Sequence, residues 1–284
     1  MSFTTAMAFQ PGDGYGARPG STPYIGVTGF TSKHDILSAI ESYFSGSDDS
    51  DVRSHDLMVG ILISHHSIEK DGAATKFPAR YPPVETIPDL ADAAKSAGGS
   101  RVVVALHYNT KNPYLSDDAR MIFDTIGDAG RSVDAIQFNV AFIPHDLEIK
   151  KIKASRAIKI IAQINGSVMR DHSIEFISSA LSAIPVDHVL VDPSGGKGKD
   201  INIDESAIVY ERIRSKTSAC IGFAGGFGPD NVEEKVSRYV KKIGTIRFSI
   251  DAEGKIRDPK TDMMDIGKVT AYIRGFFRGI NSRI

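Results

Sequence analysis

The constraint that most limits this chain is an eightfold alternation. Short apolar runs of about five to seven residues recur, each followed by a stretch with helical spacing. The runs are Tyr24–Val27, Leu57–Ile63, Arg101–His107, Ala135–Asn139, Ala157–Ile164, Val186–Val191, Ala219–Phe223 and Thr245–Ile250. They are apolar almost throughout rather than alternating, which suits strands of a parallel sheet covered on both faces. Predicted helices lie between them. Ser32 stands as an N-cap for a helix through Tyr43, and Pro88 falls in the first turn of one over Ile87–Ala97. Further helices are expected over Ser116–Gly130, His145–Ser155, Ser173–Leu181, Asp204–Lys216, Pro229–Lys242 and Met264–Ile280. Eight β-then-α units in 284 residues predict a single (β/α)₈ TIM barrel over residues 23–284. Residues 1–22, with Pro11, Gly12, Gly14, Gly16, Pro19 and Gly20 and few aliphatics, predict an irregular N-terminal extension. The rival open doubly wound sheet lacks a GxGxxG turn after its first strand.

Composition narrows the function classes. A formal net charge of −1 offers no basic surface for nucleic acid. No run reaches the ~18 apolar residues of a membrane span, and no secretory leader pattern is visible. The single cysteine, Cys220, excludes an intramolecular disulfide and reads as a small buried hydrophobe. The expectation is a cytoplasmic protein, monomer or homodimer, whose partner is a small molecule and which needs no cofactor and no metal.

The segment Asp187–Asn231 carries the sharpest functional signal. Two predicted strands end in glycine-rich loops, Pro193-Ser-Gly-Gly-Lys-Gly-Lys199 and Ala224-Gly-Gly226, the second followed by Pro229-Asp-Asn231. Glycines admit close approach of a ligand to the backbone, and helix N-termini attract anions. Gly195, Gly196, Gly198, Gly225 and Gly226 are therefore candidate phosphate ligands, with Lys197 and Lys199 able to add charge. Asp192 ends its strand where barrels of this kind keep catalytic groups. Gln137 and Asn139 share one strand face and are candidates to line the site. His65, His66 and His107 follow apolar runs, and a histidine of near-neutral pKa suits a general base.

These residues resemble the phosphoribosylanthranilate isomerase family. The resemblance spans roughly residues 24–277. Phe223-Ala-Gly-Gly-Phe-Gly-Pro-Asp-Asn-Val232 is similar to the family's L-A-G-G-L-x-P-x-N-V, and Val191-Asp192 with its Gly-Lys loop is similar to L-D followed by G-G-T-G-K. Ile136-Gln-Phe-Asn-Val, Arg80-Tyr81 and Gly26-Val-Thr-Gly stand at three further family motifs. The resemblance implies an Amadori rearrangement of a phosphorylated ribose amine, with Asp192 as general acid and Arg80 on a substrate carboxylate. It also places Thr28 where the family has its basic cysteine. A thiol near pKa 8.5 yields thiolate at modest cost, whereas a threonine hydroxyl needs another base to activate it. The eighth strand departs too: Asp251 and Glu253 put carboxylates where the family's loop holds phosphate. Two other readings fit the same fold. One is a metal-dependent epimerase or aldolase using His65, His66, His107 and Asp192; the other is a non-catalytic barrel that binds a phosphorylated ligand.

Overall fold

The computed structural model describes residues 21–46, 54–69, 77–193 and 201–282. Eight parallel strands close into a barrel in chain order. They are β1 (Tyr24–Thr28), β2 (Asp56–Ser64), β3 (Val102–Asn109), β4 (Ala135–Asn139), β5 (Lys159–Asn165), β6 (His188–Asp192), β7 (Cys220–Ala224) and β8 (Ser249–Ala252). Closure is made by β1 against β8, with Gly26 opposite Asp251.

The helices form the outer layer: α1 (Lys33–Ser45), α2 (His65–Glu69), α3 (Ile87–Gly98), α4 (Leu115–Ile126), α5 (Asp146–Ser155), α6 (Gly166–Asp171), α7 (Ile174–Ala183), α8 (Ile203–Arg214), α9 (Val232–Ile243) and α10 (Ile266–Asn281). The cap expected at Ser32 forms, its hydroxyl accepting from the Asp35 N–H at 3.1 Å. Two short helices, α2 and α6, were not anticipated. Asn165 starts α6 by accepting from the N–H groups of Ser167 and Val168. Five- and six-residue helices are too short for apolar periodicity to declare them.

The alternation along each strand sorts side chains into two cores. One lies between strands and helices and takes Ile25, Val27, Val104, Ile136, Ile160, Val191 and Phe223 among many others. The other fills the barrel: Tyr24, Met58, Val103, Ala105, Ala135, Ile161, Leu190 and Ala224. Burying an aliphatic side chain of this size contributes about 1.5–3 kcal/mol, so packing on both faces of the sheet stabilises the closed barrel. One or two steps further along the same inward faces, the residues turn polar: Thr28, His107, Gln137, Gln163, Asp192 and Asp251. The barrel is thus apolar below and polar at its C-terminal mouth.

The eighth strand corrects the expected Thr245–Ile250. It runs Ser249–Ala252. Gly244 ends α9 in the left-handed conformation, and residues 245–248 are spent returning to the barrel. The strand therefore extends past Ile250 and carries Asp251 inward, although a carboxylate reads as the end of an apolar run. Among the described residues no helix is long and apolar enough to cross a membrane.

Candidate active site

The polar mouth encloses a cavity of about 190 Å³. Its walls come from β2 through β8, including His107 of β3, Gln137 and Asn139 of β4, Gln163 of β5, Asp192 of β6 and Asp251 of β8. Thr28 lies behind this wall, fully buried. It donates its hydroxyl to Asp251 Oδ1 at 2.8 Å. Two glycines make room for that pair. A Cβ on Gly26 would stand 2.5 Å from Asp251 Oδ1, and one on Gly60 would overlap Thr28 Oγ1 and stand 3.0 Å from His107 Nε2.

Asp251 is the residue that sequence reasoning left out of the site. Burial pushes its carboxyl up to about 8, and the nearby Glu253 and Asp192 carboxylates push the same way, against the opposing Thr28 hydrogen bond. Removing charge from water in an apolar surround disfavours ionisation, and a like charge in the same cavity adds to that. The signal was present in the sequence: Ser249, Asp251 and Glu253 alternate, so an outward Ile250 requires an inward Asp251.

Asp192 is held by a relay. Gln163 Nε2 donates to Asp192 Oδ2 at 2.8 Å, and Gln137 Nε2 donates to Gln163 Oε1 at 3.0 Å. Gln163 was also missed, although it is the lone polar side chain inside Ile160–Ile164. Asn139 faces Asn165, whose Nδ2 donates to Asn139 Oδ1 at 3.3 Å and to the Val140 carbonyl at 2.8 Å. His107 is buried among these groups, and burial lowers its imidazole to about 3. It is therefore neutral throughout the physiological range.

Arg80 lies at the rim with its fork engaged. Nε and Nη2 donate to the two carboxylate oxygens of Asp262 at 2.7 and 2.8 Å, and Nη1 donates to Glu253 at 2.7 Å. The donors that the resemblance reserves for a substrate carboxylate are thus taken by the chain's own acids. Glu253, so paired, lines the cavity together with the glycine loop that follows β7. There Gly225 and Gly226 adopt φ of +117° and +67°, conformations that L side chains rarely adopt. The Gly226 carbonyl is tied back by Asn231 Nδ2 at 2.9 Å and Lys235 Nζ at 3.2 Å. Lys255, which follows β8, lines the same side of the cavity as these glycines.

His65 does not join the cavity. It sits in α2 with Nδ1 3.3 Å from the Tyr108 hydroxyl, and Tyr108 belongs to the core outside the barrel. His107, one residue earlier on β3, faces the opposite way. The side chain of His66 and the loop with Gly195, Gly196, Lys197, Gly198 and Lys199 lie outside the described residues, as do residues 1–20. Among the described residues, no three His, Cys, Asp or Glu side chains come together in a group able to hold a metal ion. Cys220 points into the bottom of the barrel beside Ser249, and burial raises its thiol to about 11.

No family model matches the sequence, and no curated protein matches it. Solved structures do. The chain is similar to the tryptophan synthase subunit alpha from Legionella pneumophila str. Paris, with a TM-score of 0.55 and 11% identity over 92% of each chain. It is similar to the native KDPGal structure, with a TM-score of 0.51 and 11% identity over 91% of this chain and 96% of that one. It is also similar to a Rubisco-like protein from Rhodopseudomonas palustris, with a TM-score of 0.52 and 11% identity over 92% of this chain and 64% of that one. At such identity the likeness is one of fold: the protein is a (β/α)₈ barrel with its polar groups gathered at the mouth, and function must be argued from those groups.

Proposed function

We propose that the protein is an acid/base isomerase acting on a phosphorylated, sugar-type small molecule, similar in chemistry to phosphoribosylanthranilate isomerase. Asp192 is the acid. The base is Asp251, which supplies beside Thr28 the proton acceptor that the threonine itself cannot be. The observation that carries this reading is the buried Thr28–Asp251 pair, whose carboxyl is pushed up to about 8 in the cavity that Asp192 also lines.

Two carboxyls in one cavity, both of them buried, do not both ionise readily, so the pair keeps one proton between them. A singly protonated pair is both an acid and a base. At rest the raised carboxyl of Asp251 holds that proton; once it has passed to Asp192, Asp192 protonates a ring or carbonyl oxygen. The ionised Asp251 takes a proton from carbon, and the reverse transfer resets the pair. Gln163 fixes Asp192 for this exchange, and Thr28 fixes Asp251. Gly225, Gly226 and Lys255 support an anionic group at one end of the substrate: two open backbone turns and a cation on one wall.

The test is steady-state loss of anthranilate fluorescence with freshly made phosphoribosylanthranilate. The wild type is expected to turn over. Asp192→Asn and Asp251→Asn should each lower kcat by about 10²–10⁴-fold, the usual worth of a positioned proton carrier, with KM little changed. The rate should fall as pH rises through about 8, because the pair then loses the proton it donates. Full activity in Asp251→Asn would remove Asp251 as the base. Silence of the wild type, with activity in Thr28→Cys, would mean a barrel built for a different phosphorylated substrate.

A further inference from the structure

The relay that holds Asp192 runs in one direction. Gln163 presents its amide nitrogen to Asp192 and its oxygen to Gln137. Gln137 in turn must spend its nitrogen on Gln163. That leaves its Oε1. That oxygen is buried and has no hydrogen-bond partner among the described residues. His107 stands opposite Gln137 in the strand register, and its Nε2 is likewise buried without a partner. The two side chains are 3% and 6% exposed, and both line the cavity. Buried polar atoms without partners cost about 1–3 kcal/mol each, and native interiors leave few of them.

We infer that Gln137 and His107 form a hydroxyl-reading subsite, which selects a polyhydroxylated substrate over its deoxy analogues. Gln137 Oε1 can only accept, so its partner must donate. A phosphate or carboxylate oxygen has nothing to donate and is refused. An uncharged imidazole completes one hydrogen bond at Nε2 whichever tautomer is present. A hydroxyl both donates and accepts, so the hydroxyls of one substrate can satisfy both side chains. The subsite lies on β3 and β4, whereas Gly225, Gly226 and Lys255 follow β7 and β8. An elongated substrate would therefore rest its anionic end on one wall and its hydroxyls on the other. The inference rests on reading the mouth as a phosphosugar site and names the part of the sugar that is recognised.

Calorimetric titration of the full chain with ribose 5-phosphate, its 2-deoxy and 3-deoxy forms, and inorganic phosphate tests this. Ribose 5-phosphate should bind at least about tenfold tighter than one or both deoxy forms, because a site built to pair a hydroxyl is penalised when it is missing. In Gln137→Met, which keeps the volume and removes the acceptor, that preference should shrink to within about twofold. His107→Phe is the second variant should Gln137→Met fail to fold, and it should weaken the preference too. Inorganic phosphate should bind all folded forms alike. Equal binding of the three sugar phosphates to the wild type would overturn the subsite. So would a preference that survives both substitutions. Binding of inorganic phosphate but of no sugar phosphate would remove the subsite and leave the anion grip standing. Binding of none of the four would remove both.

Discussion

Asp251 is the residue whose environment departs most from water among the groups at the mouth. Its folded value of about 8 lies well above the ordinary 3.8. The folded state thus holds a proton that the unfolded chain has released. Stability must fall as pH climbs from about 4 to about 8, then level off. Asp251→Asn resembles the protonated form and removes this dependence. At pH 8 the variant should melt at least ~2–4 °C above the wild type, the shift expected for about 1 kcal/mol in a chain of this size. At pH 4 the two should melt together. Differential scanning calorimetry at both values checks it; a variant less stable at pH 8 would mean that the ionised carboxylate is held by partners that burial does not outweigh. Such a result would leave Asp251 with less claim to a proton near neutrality. Two positions apart in sequence, Asp251 and Glu253 look alike, yet the strand turns one into the barrel and the other pairs with Arg80.

At the scale of elements, the segment after β8 acts as a clasp. Arg257 and Met264 pair as an antiparallel bridge. Arg257 donates to the carbonyls of Gly29 at 2.6 Å and Asp262 at 2.8 Å. Asp262, in the left-handed region at φ 57°, holds the Arg80 fork. This clasp ties the loops that follow β1, β2 and β8 over one side of the mouth. Asp262→Ala should cost about 2 kcal/mol, since it leaves a largely buried guanidinium short of its bidentate partner. The substitution should also raise KM before it lowers kcat, because the wall of the cavity loosens while the carboxyl pair is untouched. Urea unfolding and steady-state kinetics on the same variant check both halves. None of this was visible in the residue pattern. Arg80 and Asp262 are 182 positions apart, and the stretch around Arg80 carries only Pro and aromatic cues.

At the scale of the whole molecule, three histidines among the described residues are buried in uncharged form. Burial lowers His55 to about 4, and His107 and His188 to about 3, from an ordinary 6.5. The unfolded chain takes up protons on all three as pH drops below about 6.5, and the folded chain does not. Stability should therefore fall as pH drops from about 6.5 toward 4, by up to roughly 4 kcal/mol per pH unit if all three protons are coupled to unfolding. A plot of unfolding free energy against pH gives the number of protons directly. A slope near zero over that window would mean that the three histidines ionise within the folded barrel.

The eightfold rhythm of apolar runs determined the architecture without help, because a parallel sheet covered on both faces needs strands of this kind and barrel closure needs eight of them. It also put Gln137, Asn139, Asp192, Gly225 and Gly226 at strand ends, where the mouth had to be. The rhythm of apolar runs stopped with the last aliphatic residue, and so it ended β8 one residue short of Asp251, although the alternation past Ile250 pointed inward there. His65 and His107 looked equivalent as polar ends of apolar runs. The tertiary structure separated them, since β3 carries His107 into the barrel while α2 turns His65 toward Tyr108 outside it. Periodicity is a property of neighbours along the chain. The Thr28–Asp251 pair, the relay from Gln137 to Asp192 and the clasp on Arg80 join residues 223, 55 and 182 positions apart, and only closure of the barrel brings them within hydrogen-bond reach.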